Sequence, residues 1–246
     1  MHGPADNQII PPALLMRAYQ AGIFPMSDSR DDPDVFWVEP RQRAILPLDG
    51  LHLSRSLAKT LRRGRFKVTC DAAFDAVIDA CAAPRSDSED SWISGRIAGS
   101  YRALHELGHA HSIECWEDGE LAGGLYGVGF ARVFCGESMF SRTSDASKVA
   151  LAWLVAALRR AGAELLDCQF LTPHLASLGA VEIPQAQYLE LLARAQRPYS
   201  ADGAPEGEVD AVPLPDAFAA LLADASDAGF ASSPGKVIEQ SLTQTS

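Results

Sequence analysis

The 246-residue sequence predicts an α/β fold of the α+β kind, with helices covering a sheet built around an antiparallel meander. Three observations carry that prediction. Residues 110–117, 121–128 and 132–140 run apolar at strand length, and Asp118-Gly119 between the first two is a hairpin signal. Segments on both sides, 54–63, 95–107 and 145–161, read as helices. Finally, an apolar content of 47% is enough for one large domain, or for one with a small companion.

In chain order, Pro12 opens a first helix that Gly22 stops near Ala21. The apolar run Gly22–Met26 follows, then a polar loop from Ser27 to Asp34. Phe36–Val38 and Arg43–Leu46 read as short strands, and residues 1–43 form a small N-terminal domain. Residues 44–198 form the main domain. A basic helix, 54–63, leads into a strand at 65–69, and Asp71 is placed to cap a helix that shows Phe74, Val77, Ile78 and Cys81 on one face. After the polar loop 84–91 come the helix 95–107, the meander and the helix 145–161. A strand at 164–170, a short helix opened by Thr172-Pro173 and a helix over 184–195 complete the domain. Residues 199–246 form an acidic tail, largely flexible or loosely docked, with one helical stretch at 216–223.

Charge is distributed unevenly. The net charge is −11, but residues 199–246 carry eight acids and one lysine, which accounts for −7 of it. Residues 52–67 hold Arg55, Lys59, Arg62, Arg63, Arg65 and Lys67 with no acid among them. Attraction of a polyanion depends on the local field, so this run is a candidate phosphate-binding face; a solvated helix face is the alternative. No apolar run reaches membrane-spanning length and the start has no signal-peptide pattern. The five cysteines lack CxxC spacing, so reduced core thiols in a cytoplasmic protein are expected.

Polar residues interrupt two apolar strands. Glu137 sits among Phe134, Met139 and Phe140; Asp167 and Gln169 alternate with Leu166, Cys168 and Phe170. Period two puts Asp167 and Gln169 on one strand face, where burial requires partners. Two other motifs carry less. His105-Glu106-Leu107-Gly108-His109 matches HExxH, but Gly108 stops the helix before both histidines can share a face, so no metal site is expected. The glycines at 123, 124, 127 and 129 lack the strand–loop–helix context of a phosphate loop.

Taken together, several segments closely resemble the bacterial leucyl/phenylalanyl-tRNA–protein transferases. They are Gly22–Pro25, Leu51–Ser56, Gly108–Glu114, Gly123–Gly127, Gly136-Glu137-Ser138-Met139-Phe140-Ser141-Arg142, Ala146-Ser147-Lys148, Asp167-Cys168-Gln169 and Ala176–Ala180. The resemblance spans about residues 12–195. It implies a small N-terminal domain joined to an acetyltransferase-like (GNAT-type) domain with a mixed, largely antiparallel sheet. It also implies transfer of Leu or Phe, and Met less well, from aminoacyl-tRNA to the α-amine of proteins beginning with Arg or Lys, which marks them for degradation. The expected form is a monomer without cofactor.

The implied roles fit the chemistry. An aminoacyl ester is already activated, so aminolysis needs a neutral amine held in line rather than ATP, a metal or a covalent intermediate. The family role of amine-proton acceptor falls on Gln169, with Asp167 beside it to orient and polarise the amide. Glu137 supplies a negative charge for a cationic group, either the α-ammonium or the acceptor's basic side chain. The aminoacyl pocket maps to Leu125, Met139, Leu154, Leu158 and Leu166, positions that plain core packing would also explain. Trp92 matches a residue near the tRNA 3′ end, and Arg55, Lys59, Arg62 and Arg63 match the acceptor-stem cluster. Two positions depart from the family pattern. Met26 stands where a 3′-end Trp is usual, and Thr172 stands where an oxyanion-binding Asn can occur. Thr172 is either that donor or the cap of the helix Pro173 opens. The rival readings are an acetyl-CoA-dependent acetyltransferase and a non-catalytic RNA-binding module.

Overall fold

Proline starts the first helix and glycine ends it. In the computed structural model, which describes residues 9–84, 91–197, 212–230 and 233–243, α1 (Pro12–Gln20) has Pro12 in its first turn, where a missing N–H costs nothing. Gly22 follows at φ +81°. The chain then forms β1 (Phe24–Met26), paired antiparallel with β2 (Phe36–Val38). β3 (Gln42–Ile45) leaves this ribbon and enters the main sheet, so Arg43 belongs to the larger part of the molecule. α2 (Arg55–Arg63) is capped by the Ser54 hydroxyl, which accepts from Leu57 N at 3.2 Å, and it stops at Gly64 in the left-handed conformation.

β4 (Lys67–Cys70), α3 (Phe74–Ala82) and α4 (Gly95–Glu106) lead into the meander β5 (Ala110–Glu117), β6 (Glu120–Phe130) and β7 (Val133–Ser141). α5 (Ala146–Arg160) crosses over to β8 (Leu165–Gln169), which therefore runs parallel to β7. α6 (Pro173–Ser177), β9 (Val181–Pro184) and α7 (Gln185–Ala195) follow, then α8 (Leu214–Asp227) and α9 (Gly235–Thr243). The mixed sheet has seven strands in the order β4-β5-β6-β7-β8-β3-β9, with β7–β8 its single parallel pair among the described residues.

Two cores sandwich this sheet. One joins α2, α5, α8 and α9 to sheet residues such as Ile113, Leu125 and Phe134. The other joins α1, α3, α4 and α7 to Tyr126, Val128 and Cys135. Burial on both faces explains why the central strands read as apolar runs rather than alternating patterns.

One expectation is corrected, one strand is added and one reading is narrowed. Asp71 does not cap α3. It sits at φ +55°, accepts from Ser112 N at 2.8 Å and bonds His111 Nδ1 at 2.7 Å. The buried Glu114 carboxylate holds the turn ahead of α3, accepting from Ala72 N and Ala73 N at 3.4 Å. Residues 181–183, to which sequence reading assigns no element, form with Pro184 an edge strand paired with β3. Of the two readings of the acidic tail, flexible or loosely docked, its described residues show the docked one. α8 buries Leu214, Phe218 and Leu221 against the α5 side, with Phe218 5.0 Å from Trp153 between ring centres, and α9 docks on α2. Residues 198–211 lie outside the described residues. Among those described, no helix is long and apolar enough to cross a membrane.

Candidate active site

The site opens where two strands part. β7 and β8 pair over Val133–Cys135 and Leu165–Asp167 and no further. Just beyond, the β6–β7 register shifts, since Tyr126 faces Ser138 while Gly127 faces Gly136, so Glu137 is the extra residue of a β-bulge. Gly127 is required opposite it, because a Cβ there would lie 2.3 Å from the Cys135 carbonyl oxygen. The bulge bends β7 away from β8 and aims Glu137 into the gap.

A cavity of about 990 Å³ fills this gap. Of the five positions the resemblance assigns to an aminoacyl pocket, Leu125, Met139, Leu154 and Leu166 line this cavity, whereas Leu158 is fully buried in the core and does not line it. Trp92 stands on the wall; Met26 on β1 does not line the cavity. Thr172 lines the cavity, and its hydroxyl oxygen accepts from Leu175 N at 3.2 Å, which makes it the cap of α6 and leaves its O–H to donate. His105 and His109 sit on different elements, since α4 ends at Glu106, and the His105 ring stacks on Phe74 at 4.2 Å.

Glu137 and Gln169 form the polar wall. Gln169 Nε2 donates to Glu137 Oε1 at 3.0 Å, and Tyr101 OH donates to Oε2 at 2.7 Å. The Tyr101 hydroxyl in turn meets that of Tyr19 at 2.5 Å, so α1 and α4 both support the carboxylate. A carboxylate only accepts, so it fixes the Gln169 amide with Nε2 towards Glu137 and leaves Oε1 as the free end. Burial raises the Glu137 pKa from 4.5 to about 7, with the hydrogen bonds from Tyr101, Tyr19 and Gln169 resisting that rise.

Asp167 is elsewhere than expected. It does not touch the Gln169 amide; its Oδ1 accepts from the Gln169 backbone N at 2.8 Å and from Arg43 Nε at 2.9 Å. Its Oδ2 takes Arg43 Nη2 at 2.5 Å and Tyr188 OH at 3.0 Å. The physical reason is the backbone. Gln169 has φ +61°, which breaks the strand's alternation, so the two side chains diverge. Glu137, not Asp167, therefore orients the amide. Cys168, also on the cavity, is pushed well above its ordinary thiol pKa by burial and then by the Asp167 charge, so it is held protonated.

Sequence reading missed Tyr19, Tyr101, Arg43 and Tyr188. The signal for Arg43 is a lone base in the apolar strand 43–46; the tyrosines sit at ordinary core positions of helices and carry none.

Arg55, Lys59, Arg62 and Arg63 all sit exposed on α2. Arg62 Nη1 pairs with Glu239 Oε1 of α9 at 2.8 Å, so the C-terminal helix takes up part of the charge of the basic face.

Residues 45–193 match the leucyl/phenylalanyl-tRNA protein transferase family, and residues 9–41 match the N-terminal domain of the same family. A protein of Novosphingobium aromaticivorans named leucyl/phenylalanyl-tRNA–protein transferase is 67% identical, over 98% of this chain and 98% of its own length. Proteins of the same name from Zymomonas mobilis and Rhizorhabdus wittichii are 59% and 61% identical, over 80% and 74% of this chain and 73% and 74% of their own lengths. The chain belongs to the leucyl/phenylalanyl-tRNA–protein transferase family.

Proposed function

We propose that this protein moves leucine or phenylalanine, and methionine less well, from aminoacyl-tRNA to the α-amino group of cytoplasmic proteins beginning with Arg or Lys. The product would enter N-degron-dependent degradation. The observation that carries this reading is the Glu137-anchored Gln169 amide on the wall of an apolar cavity.

The aminoacyl side chain occupies the cavity among Leu125, Met139, Leu154 and Leu166. Met139 is the pliable wall that lets one pocket take both Leu and Phe. The incoming α-amine, with a pKa near ~7.7–8.0 against ~10.4 for a lysine side chain, is partly neutral at cellular pH. Its lone pair attacks the ester carbonyl while Gln169 Oε1 accepts one of its N–H groups. The C–N bond forms, the C–O bond to the ribose breaks, and the amine proton ends on the leaving ribose oxygen. Orientation supplies most of the acceleration. Glu137 raises the electron density on Oε1 through the opposite end of the amide, and Asp167 holds the Gln169 backbone. Trp92 offers a face for the 3′-terminal base, where aromatic stacking tolerates any base.

Four peptides that differ only in their first residue test the acceptor side: Arg, Lys, Asp and acetylated Arg. With Leu-tRNA, mass spectrometry should find one added leucine on the first two only. Addition to the acetylated peptide, or equal addition to all free amines, would overturn the reading.

The exposed bases of α2 carry the tRNA in this account, so affinity falls steeply with salt. Arg63→Ala is expected to reduce the slope of log K against log salt by about 1. Filter binding from low to moderate salt measures it, and an unchanged slope would remove α2 from the interface.

A further inference from the structure

Arg43 is 1% exposed and does not line the cavity, yet it is among the most heavily engaged side chains in the molecule. Its fork takes both oxygens of Asp167, at 2.9 and 2.5 Å, and its Nη1 donates to the Gly22 carbonyl at 3.1 Å. The guanidinium lies between two rings, 4.7 Å from the centre of Phe24 and 4.5 Å from that of Tyr188. Tyr188 OH completes the cluster on Asp167 Oδ2 at 3.0 Å. The residue falls between the two segments that match the family, 9–41 and 45–193.

A buried ion pair is weak evidence for stability, because desolvation offsets its attraction; apolar side chains of similar volume often do as well. What a planar fork adds is geometry. It fixes the plane and rotation of the carboxylate as a point charge cannot. Here the fixed carboxylate has one further task, to accept from the Gln169 backbone N at 2.8 Å. Gln169 sits at φ +61°, a left-handed conformation that is unfavourable for a non-glycine residue, so its surroundings must hold it there. That backbone turn swings the amide to Glu137 rather than along the strand face.

We infer that Arg43 is a positioning residue for the transfer reaction: by fixing Asp167 it holds the Gln169 backbone in its left-handed turn and so aims the amide into the cavity. This rests on the role given to Gln169 above. Arg43 touches no reacting atom. Its effect is on how often Oε1 stands where the amine arrives, and a misplacement of about 1 Å can cost ~100-fold in rate.

Single-turnover transfer from Leu-tRNA to an Arg-peptide, read beside tRNA affinity, tests it with four variants. Arg43→Lys keeps the charge and loses the fork. It should lower the rate at saturation about 100-fold while KM and tRNA affinity stay within about 2-fold. Tyr188→Phe removes one neutral donor from Asp167 and should show the same split at about 5-fold. In a Gln169→Ala background, Arg43→Lys should add nothing, because no amide remains to be aimed. A purely structural Arg43 would instead weaken tRNA binding and rate together and cost the same in both backgrounds; that result, or an unchanged rate, overturns the inference. If Arg43→Lys does not fold, the Tyr188→Phe split decides alone. Full activity of Gln169→Ala would instead refute the role of Gln169, whatever Arg43 does.

Discussion

Replacing Gln169 with Ala is expected to lower single-turnover transfer on the order of 100-fold and to leave Leu-tRNA affinity within about 2-fold. The size follows from what is removed. A preorganised hydrogen-bonding group that acts on charge developing in the transition state is worth about 3 kcal/mol, while the proposed function assigns substrate binding to the apolar cavity and α2. Alanine is the informative substitution because it meets the same backbone cost at φ +61° as glutamine, so the loss reports on the amide. Gln169→Gly serves as the control, easing the turn and still lacking the amide. Glu137 Oε1 would lose its Nε2 partner, so a stability loss of about 1–3 kcal/mol should accompany the change. A variant equally destabilised but fully active would separate packing from chemistry and contradict the mechanism.

Changing Glu137 to Gln should alter both the pH dependence of stability and the rate. Burial raises the folded-state pKa of Glu137 to about 7, above its ordinary 4.5. Below pH 4.5 the group is protonated folded or unfolded and contributes no difference. Between 4.5 and about 7 the unfolded chain releases the proton while the folded chain keeps it, so this group lowers stability as pH rises. Above about 7 the cost is complete, roughly 3 kcal/mol at about 1.36 kcal/mol per pKa unit. Glu137→Gln removes the dependence, so its stability relative to the native protein should improve by up to that amount between pH 5 and pH 8. Urea unfolding at the two pH values measures it, and a difference that does not vary with pH would show that Glu137 is not buried as an anion. The rate should move the other way. A neutral amide both donates and accepts, so it no longer dictates which end of Gln169 faces the cavity. Transfer at pH 8 should fall about 10-fold, giving a protein that is more stable and less active at that pH.

The meander, the long helix after it and the strand that follows were legible because each is local: the Asp118-Gly119 turn, the apolar runs and the helix over α5 announce themselves over ten to twenty residues, whereas the parallel pairing of that strand with β7 does not. Glu137, Asp167 and Gln169 were legible as polar interruptions of buried strands. Their partners were not. Arg43 meets Asp167 across 124 residues of sequence and Tyr101 meets Glu137 across 36, and no periodicity reports such pairings. Period two put Asp167 and Gln169 on one face, and a single residue at positive φ undid that inference. The bulge at Glu137 is invisible for the same reason, since it is a property of register against β6. In the tail, the helical stretch was legible at 216–223, but not its start at Leu214 or its packing against α5 through Leu214, Phe218 and Leu221. Leu158 shows the converse, an apolar position that a motif assigns to the pocket and that geometry gives to the core.

The claim on which the mechanism stands is that the acceptor amine attacks the ester directly. Cys168 is the cavity thiol that an acyl-enzyme route would use, and its environment holds it protonated. Enzyme in excess should therefore be mixed with Leu-tRNA and no acceptor, its intact mass recorded, and the Arg-peptide then added. The enzyme's mass should stay unchanged throughout, and one leucine should appear on the peptide alone at the rate at which Leu-tRNA is consumed. An enzyme heavier by one leucyl group before the peptide is added, and relieved of it afterwards, would contradict direct attack and move the chemistry from Gln169 to a nucleophile.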